Sequence, residues 1–173
     1  MNSTLKKFAQ AGFTLVELLI VVIILAILAA IVIPQFSSST TDAQESALDA
    51  NLASMRAAIE LYKVQHTNIY PGANATGGGT CSVTKGTGLA NSPQAWMDQL
   101  LMASDVAGNT CAGAMTAADT TTYKFGPYLR KGIPNDPFTS PSKGSLVGDI
   151  VATSTGAVIT PAAATGGWAV DTK

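Results

Sequence analysis

The sequence has little of what catalysis, metal binding or nucleic-acid binding requires. Charged residues make up only 12% of the 173 residues, the net charge is −1, and there is a single histidine, His66. A general base or metal ligand needs partner groups, and no acidic or cysteine residue stands at a useful spacing from His66. No serine or cysteine lies in a nucleophile-elbow context. The composition therefore indicates a protein that is not an enzyme, with no cofactor, no metal and no nucleic-acid partner.

Cysteine is also scarce, since only Cys81 and Cys111 occur in the chain. If the region that contains them is exported, an oxidising compartment favours a disulfide between them. Such a bridge would stabilise the fold by roughly 3–4 kcal/mol in the chain-entropy model. The alternative is two free thiols or half of a metal site, although neither a CxxC pair nor a neighbouring histidine supports a metal.

What the sequence does have is one long apolar run, from Phe13 to Ile33, in which only Thr14 and Glu17 are polar. A helix over this run would span roughly 32 Å, close to the hydrocarbon thickness of a bilayer. Lys6 and Lys7 precede it, which favours a cytoplasmic N-terminal end. A secretory signal peptide would have a shorter apolar core followed by a small-residue cleavage site. A generic signal anchor would not need Glu17, because a carboxylate within hydrocarbon is costly and usually retained for a task.

Residues Gly12-Phe13-Thr14-Leu15-Val16-Glu17, preceded by the two lysines and followed by the apolar run, resemble a class III signal sequence. This signal belongs to the type IV pilins and to the pseudopilins of type II secretion systems. Pro34 falls where these proteins carry a helix-kinking proline. The clear resemblance covers residues 1–70, and a looser one covers 122–139 and 166–170.

The resemblance implies a processing and assembly route. A prepilin peptidase and methyltransferase would cut after Gly12 and N-methylate the new amine on Phe13. Glu17 would pair with the terminal amine of a neighbouring subunit as the chain forms a helical homopolymer on an inner-membrane assembly platform. The chain would be a single-pass protein of the bacterial inner membrane before assembly. Afterwards it would lie in an extracellular pilus, or in the periplasm if it is a pseudopilin.

The expected fold is α+β, with a long N-terminal helix packed on a small C-terminal antiparallel sheet. Residues 1–12 form a cleaved leader, 13–33 a transmembrane and filament-core helix, and 34–173 an exported head. Within the head, the helix continues past Pro34 to about residue 66. A loop with a short helix follows over 72–120, and a sheet over 121–173. Apolar residues at 4-3 spacing predict the helix face that packs on the sheet: Leu48, Leu52, Met55, Ile59 and Tyr62.

Local patterns predict the smaller elements of the head. Ser92-Pro93 opens a helix with Trp96, Leu100 and Leu101 on its apolar face, ending near Ser104. Residues 121–128 read as a strand. The Gly126–Phe138 segment resembles the proline-rich loop of major pseudopilins, with Tyr128 and Phe138 able to anchor it on the core. Further strands are predicted over 146–153, 157–160 and 167–170, with these core candidates: Val147, Ile150, Val151, Val158, Ile159 and Trp168.

Two functions fit this resemblance. The first is a structural subunit of a type IV pilus-like extracellular filament, which the disulfide-closed insertion favours. The second is a pseudopilin of a type II secretion system, which the Gly126–Phe138 segment favours. Major pseudopilins carry a calcium site near the C-terminus, whereas residues 139–173 contain only Asp149 and Asp171 as acidic residues. A membrane-anchored adhesin or DNA-uptake pilin is a more distant alternative.

Overall fold

The computed structural model describes residues 13–139, 149–156 and 167–173 of the chain. These residues form an α+β fold with eight named elements. In chain order the elements are α1 (Leu15–Gln65), β1 (Thr84–Lys85), α2 (Pro93–Leu101), β2 (Ala103–Ser104), β3 (Thr110–Ala112), α3 (Ala117–Thr122), β4 (Ile150–Thr153) and β5 (Trp168–Asp171). The chain divides into two compact units, the first ending at Ala43 and the second running from Gln44 to Lys173. The second is called the head unit below.

The long helix predicted from the sequence is confirmed. α1 contains 51 residues and continues through position 34, where the helix was expected to resume after the proline. It ends at Gln65, within one residue of the predicted end. The chain leaves the helix through Thr67 and Asn68, both of which have positive φ values, of 53° and 67°. The kink at Pro34 stays a prediction.

The core of the head unit is built on the predicted face of α1. Met55 and Tyr62 are 5% and 1% exposed, and the other three stripe residues are partly buried against the core cluster. Besides Met55, the buried members of the cluster are Ala58 of α1, three residues of α2, Ile133 and two strand residues: Trp96, Met97, Leu100, Ile150 and Trp168. The 4-3 spacing therefore identified a real packing face, because residues three and four apart share one side of a helix.

α2 starts as the sequence predicts. Ser92 is its N-cap, and the Ser92 hydroxyl oxygen accepts a hydrogen bond of 3.1 Å from the Ala95 N–H, while Pro93 occupies the first turn. The helix ends at Leu101, before the predicted end near Ser104. Ala103 and Ser104 instead form β2, which pairs with β3.

The antiparallel sheet lies earlier in the chain than expected. β1, β3 and β2 are neighbours in that order, with Lys85 and Ala103 both paired to Cys111 on the central strand. All three strands fall within 72–120, the region predicted as a loop with a short helix. Near the C-terminus, β4 and β5 pair in parallel, with Ile150 opposite Trp168. The antiparallel sheet is thus confirmed in kind, and its place in the chain differs.

The strand predicted over 121–128 is wrong. Thr121 and Thr122 end α3, and in the described part of this stretch only Phe125 makes a strand-like bridge, to Ser104. The physical reason is a capping box: Thr116 and Asp119 exchange side-chain to backbone hydrogen bonds and start a helix. This local contact overrides the β propensity of the threonine run.

The core candidates predicted near the C-terminus differ in how far they are buried. Ile150 and Trp168 are buried as predicted, whereas Val151 is 54% exposed, so its assignment to the core is wrong. Side chains alternate along a strand, so neighbours Ile150 and Val151 cannot both face α1. Val147, Val158 and Ile159 lie outside the described residues, as does the strand predicted over 157–160. Tyr128 packs on the core, but Phe138 remains 47% exposed.

Candidate assembly site

The first part of α1 is apolar on every side, and no residue that the structure describes covers it. Leu15–Ile33 is long and apolar enough to cross a membrane, by length and composition, and none of it is buried. Its large apolar side chains are between 42% and 80% exposed. A helix that is apolar all round is stable only in lipid or among other helices, so this surface must be covered from outside the chain.

Glu17, the one ionisable residue of this segment, is held by the start of its own helix. One Glu17 carboxylate oxygen, Oε2, accepts hydrogen bonds from the Thr14 backbone N–H at 3.1 Å and the Thr14 hydroxyl at 3.0 Å. The Thr14 hydroxyl oxygen in turn accepts one from the Glu17 N–H at 3.2 Å. This reciprocal arrangement is a capping box. It gives the carboxylate polar partners within its own chain, which lowers the cost of placing it beside apolar surface.

The sequence analysis singled out Glu17 but missed Thr14. The signal was present, because threonine followed three residues later by glutamate ahead of an apolar run is the pattern of a capping box. Phe13 stands immediately before Thr14 and is 82% exposed, so its amine would be accessible once it became a terminus. Gly12, on the other side of the predicted cleavage bond, lies outside the described residues.

In the head unit, Cys81 and Cys111 form the expected disulfide. Cys111 sits on the central strand β3, and Cys81 precedes β1, so the bridge joins the two ends of the insertion that contains α2. Asp119 lies close enough to both sulfurs to suggest a three-residue metal set. Because the sulfurs are bonded to each other, neither is a thiolate, and this set is not a metal site.

Two polar residues of α2 fasten the insertion. The buried Asp98 Oδ2 accepts hydrogen bonds from the Thr76 hydroxyl at 2.8 Å and from the Thr87 and Gly88 N–H groups at 2.9 and 3.1 Å. Gln99 accepts from the Gly72 N–H at 2.6 Å and donates to the Asn74 and Gly108 carbonyls. The sequence analysis did not predict these contacts, because no regular spacing links Asp98 or Gln99 to the loop residues that they bind.

Gly88 shows how tightly this loop packs. Any Cβ at this position would clash with the backbone of Ala95 on α2. Only glycine therefore allows the Gly88 N–H to reach the Asp98 carboxylate. Gly88 is therefore a closely fitted position in the loop that precedes α2.

Asp119 links the disulfide region to α3. Its Oδ1 accepts a hydrogen bond of 3.1 Å from the Ser82 N–H, and its Oδ2 accepts from the Ser82 hydroxyl and, at 2.7 Å, from the Thr116 hydroxyl. Hydrogen bonds from Ser82 and then Thr116 hold the pKa of Asp119 well below its usual range. The ionised carboxylate thus ties the residue beside Cys81 to the start of α3.

His66, for which the sequence offered no catalytic or metal-binding partner, is buried in an aromatic cluster. Its ring stacks on Tyr62 at 3.7 Å between centroids and meets Phe125 edge-on. Nδ1 lies 2.9 Å from the Tyr62 carbonyl oxygen, which can only accept, so Nδ1 carries the proton and Nε2 accepts from the Ser104 hydroxyl at 3.1 Å. Burial lowers the pKa of His66, although hydrogen bonds to backbone and the charge of Asp105 oppose the shift.

An exposed apolar helix that starts at the Thr14–Glu17 capping box and continues along the chain into a folded head unit is compatible with a membrane by its length and composition. The family model of the prokaryotic N-terminal methylation motif matches residues 7–33. The chain is also similar to the type II secretion system core protein G of Pseudomonas aeruginosa, at 35% identity over 57 residues. That match covers 33% of this chain and 40% of the relative. No solved structure matches the chain significantly.

The motif and the relative agree with the resemblance to type IV pilins and pseudopilins that the N-terminal residues carry. The motif covers the apolar helix and the residues just before it, where the resemblance was drawn from the sequence. The matching segment spans less than half of the curated relative, so this similarity does not establish what the head unit does.

Proposed function

We propose that the chain is a structural subunit of a type IV pilus-like extracellular filament, assembled through α1. The observation that carries the proposal is the uncovered apolar surface of Leu15–Ile33, headed by the capped Glu17. In the membrane, lipid covers this surface. In a filament, the same surface of neighbouring subunits covers it, so the subunit leaves the bilayer without exposing apolar area to water.

The proposed processing step creates the partner for Glu17. Cleavage after Gly12 by a prepilin peptidase gives Phe13 a free amine, which is then methylated and remains a cation. An amine from the adjacent subunit could replace Thr14 as the partner of the Glu17 carboxylate, forming a charge-assisted hydrogen bond in a water-poor core. This exchange would set the axial position of one subunit relative to the next.

A second candidate is a pseudopilin that forms a short periplasmic filament in a type II secretion system. It is favoured by the relative, whose name places it in such a system. The disulfide-closed insertion of the head unit favours the surface filament, since a disulfide-stabilised region suits a subunit exposed outside the cell. Both candidates require cleavage after Gly12 by a prepilin peptidase and assembly on an inner-membrane platform.

The deciding experiment is mass spectrometry and N-terminal sequencing of sheared surface filaments and of the cell envelope. We expect this chain in the sheared fraction, starting at methylated Phe13. Processed chain found only in the envelope would contradict the pilus and favour the pseudopilin. Uncut chain in membranes would contradict assembly altogether and leave α1 as an anchor.

The role of Glu17 is tested by replacing Glu17 with Ala in the full chain. We expect the subunit to reach the membrane and to be cleaved, but filament recovery to fall by roughly tenfold or more, as expected when a charged hydrogen bond worth about 1.5–3 kcal/mol is lost at every subunit contact. Glu45→Ala is the matched control, because Glu45 is an exposed glutamate on the same helix beyond the apolar segment. Wild-type filament recovery from Glu17→Ala would refute the pairing.

A further inference from the structure

The last strand, β5, has one edge that the described residues leave unpaired. β5 pairs with β4 alone, in parallel. The Thr172 N–H, just after β5, donates to the Thr153 carbonyl oxygen at 2.8 Å, and the Val170 carbonyl oxygen accepts from the Thr153 hydroxyl at 3.4 Å. Backbone groups of successive strand residues point to opposite sides, so those of Ala169 and Asp171 point away from β4. These groups are called the outer edge of β5 below.

The outer edge is open to a further strand. Outside the β4–β5 pair, no backbone hydrogen bond joins Ala169 or Asp171 to any residue that the structure describes. Proteins usually protect such an edge with prolines, bulges or charged side chains, because unpaired N–H and C=O groups are a template for another chain. Ala169 is small and exposed, and Asp171 turns back on the chain, where its Oδ1 accepts from the Lys173 N–H at 3.0 Å.

A cavity of about 300 Å³ borders the same strand. Its lining includes all four residues of β5 and, among the described residues, none of β4. The remaining walls come from α1, the Tyr70-Pro71 corner and α2, and most of them are apolar: Leu52, Met55, Ile59, Pro71 and Trp96. Arg56 and Ala169 line the cavity and are exposed, so it reaches the surface of the head unit. Its volume equals that of roughly ten molecules of liquid water, which leaves room for one large side chain.

The charges around the cavity cancel. Arg56 and Asp171 line it with opposite signs, and beyond the lining Glu60 acts on Lys63 by its charge. The Asp171 Oδ2 atom is buried without a hydrogen-bond partner among the described residues, so it would repel an acidic occupant. Arg56 would repel a basic one. The lining therefore favours an uncharged side chain.

The aromatic walls are held in place before any occupant arrives. The Trp168 indole N–H donates a hydrogen bond of 2.7 Å to the Pro134 carbonyl oxygen. The Tyr70 hydroxyl oxygen accepts one of 2.8 Å from the Lys63 ammonium group. Trp96 is 1% exposed and packed in the core. Walls fixed in this way lose little conformational entropy on binding.

We propose that β5 and this cavity form a docking site for an extended polypeptide segment of a partner protein. The segment adds a strand at the outer edge of β5 and places one uncharged apolar side chain in the cavity. Main-chain hydrogen bonds then supply affinity for any sequence, and the cavity selects the side chain. The unpaired backbone groups specify a polypeptide, because another strand satisfies them in register. The first part of α1 takes no part in this site, so the inference does not rest on the proposed function.

The test titrates the full chain, in detergent, with the uncharged peptide acetyl-Thr-Thr-Val-Phe-Val-Thr-Thr-amide. Tryptophan emission is the first readout, since Trp96 and Trp168 are the two tryptophans of the chain and both line the cavity. Hydrogen exchange of the Ala169 and Asp171 amides is the second. We expect a saturable emission change together with slower exchange of both amides.

Three altered peptides separate the two parts of the site. Replacing the phenylalanine with alanine should weaken binding roughly tenfold or more, because a large apolar side chain is no longer buried. Replacing it with aspartate should abolish binding, because the buried Asp171 oxygen lies at the cavity. The peptide with every amide N-methylated keeps the ring but cannot donate main-chain hydrogen bonds, so it should neither bind nor slow the exchange.

Two variants at one position test the edge itself. Ala169→Pro removes an N–H that β4 does not use and places a ring where the new strand would lie, so it should weaken binding roughly tenfold or more. Ala169→Val keeps the N–H and is the matched control, which should bind as the unaltered chain does. Equal melting temperatures would show that both variants are folded. If the proline variant does not fold, the N-methylated peptide tests the same hydrogen bonds from the other side.

Three results would overturn the proposal. The first is the absence of a saturable emission change with the unaltered peptide. The second is equal binding of the N-methylated peptide, which would mean that the cavity takes a ring without any strand pairing. The third is protection of the Ala169 amide that rises with protein concentration and needs no peptide, which would mean that a second copy of the chain occupies the edge.

Discussion

The two parts of α1, Leu15–Ile33 and the part within the head unit, differ in the arrangement and exposure of their apolar side chains. In Leu15–Ile33 apolar side chains surround the helix, and every large one is at least 42% exposed. In the part of α1 within the head unit, the buried large apolar residues share one stripe, on which Met55 and Tyr62 are nearly inaccessible to water, while Leu61 and Val64 off the stripe are exposed. Both parts are equally helical, so backbone structure does not distinguish them.

The comparison shows how the arrangement of apolar residues decides where a helix finds its partner. A stripe can be covered by one neighbouring layer, and here α2, β5 and the 128–133 region supply it. A helix that is apolar all round needs partners on every side, and within residues 13–139, 149–156 and 167–173 none covers this part of α1. The first part of α1 therefore depends on lipid or other subunits, while the second depends on its own head unit.

The largest expected effect comes from placing a charge in the first part of α1. Leu25→Asp should lower the insertion equilibrium constant roughly 100-fold, because an aspartate at the centre of a membrane helix costs about 2.5–3.5 kcal/mol. Extraction of membranes with alkaline carbonate measures the fraction of full chain that is retained. Ala53→Asp, an exposed site in the second part, should change neither retention nor melting temperature. If both variants showed the same membrane retention and the same filament recovery, the two parts of α1 would not differ in their need for apolar surroundings.

The next effect concerns the covered stripe. Met55→Ala should destabilise the head unit by about 2–5 kcal/mol, because it removes a buried side chain and leaves a cavity in a packed core. Leu61→Ala, on the same helix but 50% exposed, should cost much less. Thermal or denaturant unfolding of the full chain gives both values. A loss at Leu61 as large as that at Met55 would mean that the exposed side of α1 is also covered.

The smallest effect is a pH dependence at the end of α1. Burial holds the pKa of His66 below its ordinary value of about 6.5, so the unfolded chain binds the proton more readily. The stability due to neutral His66 is therefore present above about pH 6.5 and is lost as the pH falls below that value. Tyr62, Tyr128 and Asp105 face the ring, and of these only Asp105 favours the protonated form by its charge.

Melting curves of the full chain between pH 5 and pH 8 measure this dependence. His66 is the single histidine, and the lowered pKa of Asp119 acts only in more acidic solution, so His66→Gln should flatten the profile in this window. An unchanged slope in His66→Gln would show that the buried ring does not titrate on unfolding.

Much of this protein follows from the sequence alone, because the features concerned are local or periodic. The apolar run and the 4-3 stripe predict α1, Ser92-Pro93 predicts the start of α2, and two cysteines predict one bridge. The Thr14–Glu17 capping box at the start of α1 could also have been predicted from the sequence, although it was overlooked. In each case the interacting residues are at most a few positions apart or, for the two cysteines, can pair in one way only.

Tertiary structure alone decided the rest, for reasons of distance and length. β1 and β2 contain two residues each, too few to show any alternation, and they exist because Cys111 lies between them on β3. Asp98 holds a loop that ends ten residues earlier in the chain, and besides Tyr62 the ring of His66 contacts Ser104 and Phe125, which lie 38 or more positions away. The free energy of such contacts depends on which surfaces the fold brings together. The pattern of residues along the chain does not show which surfaces these are.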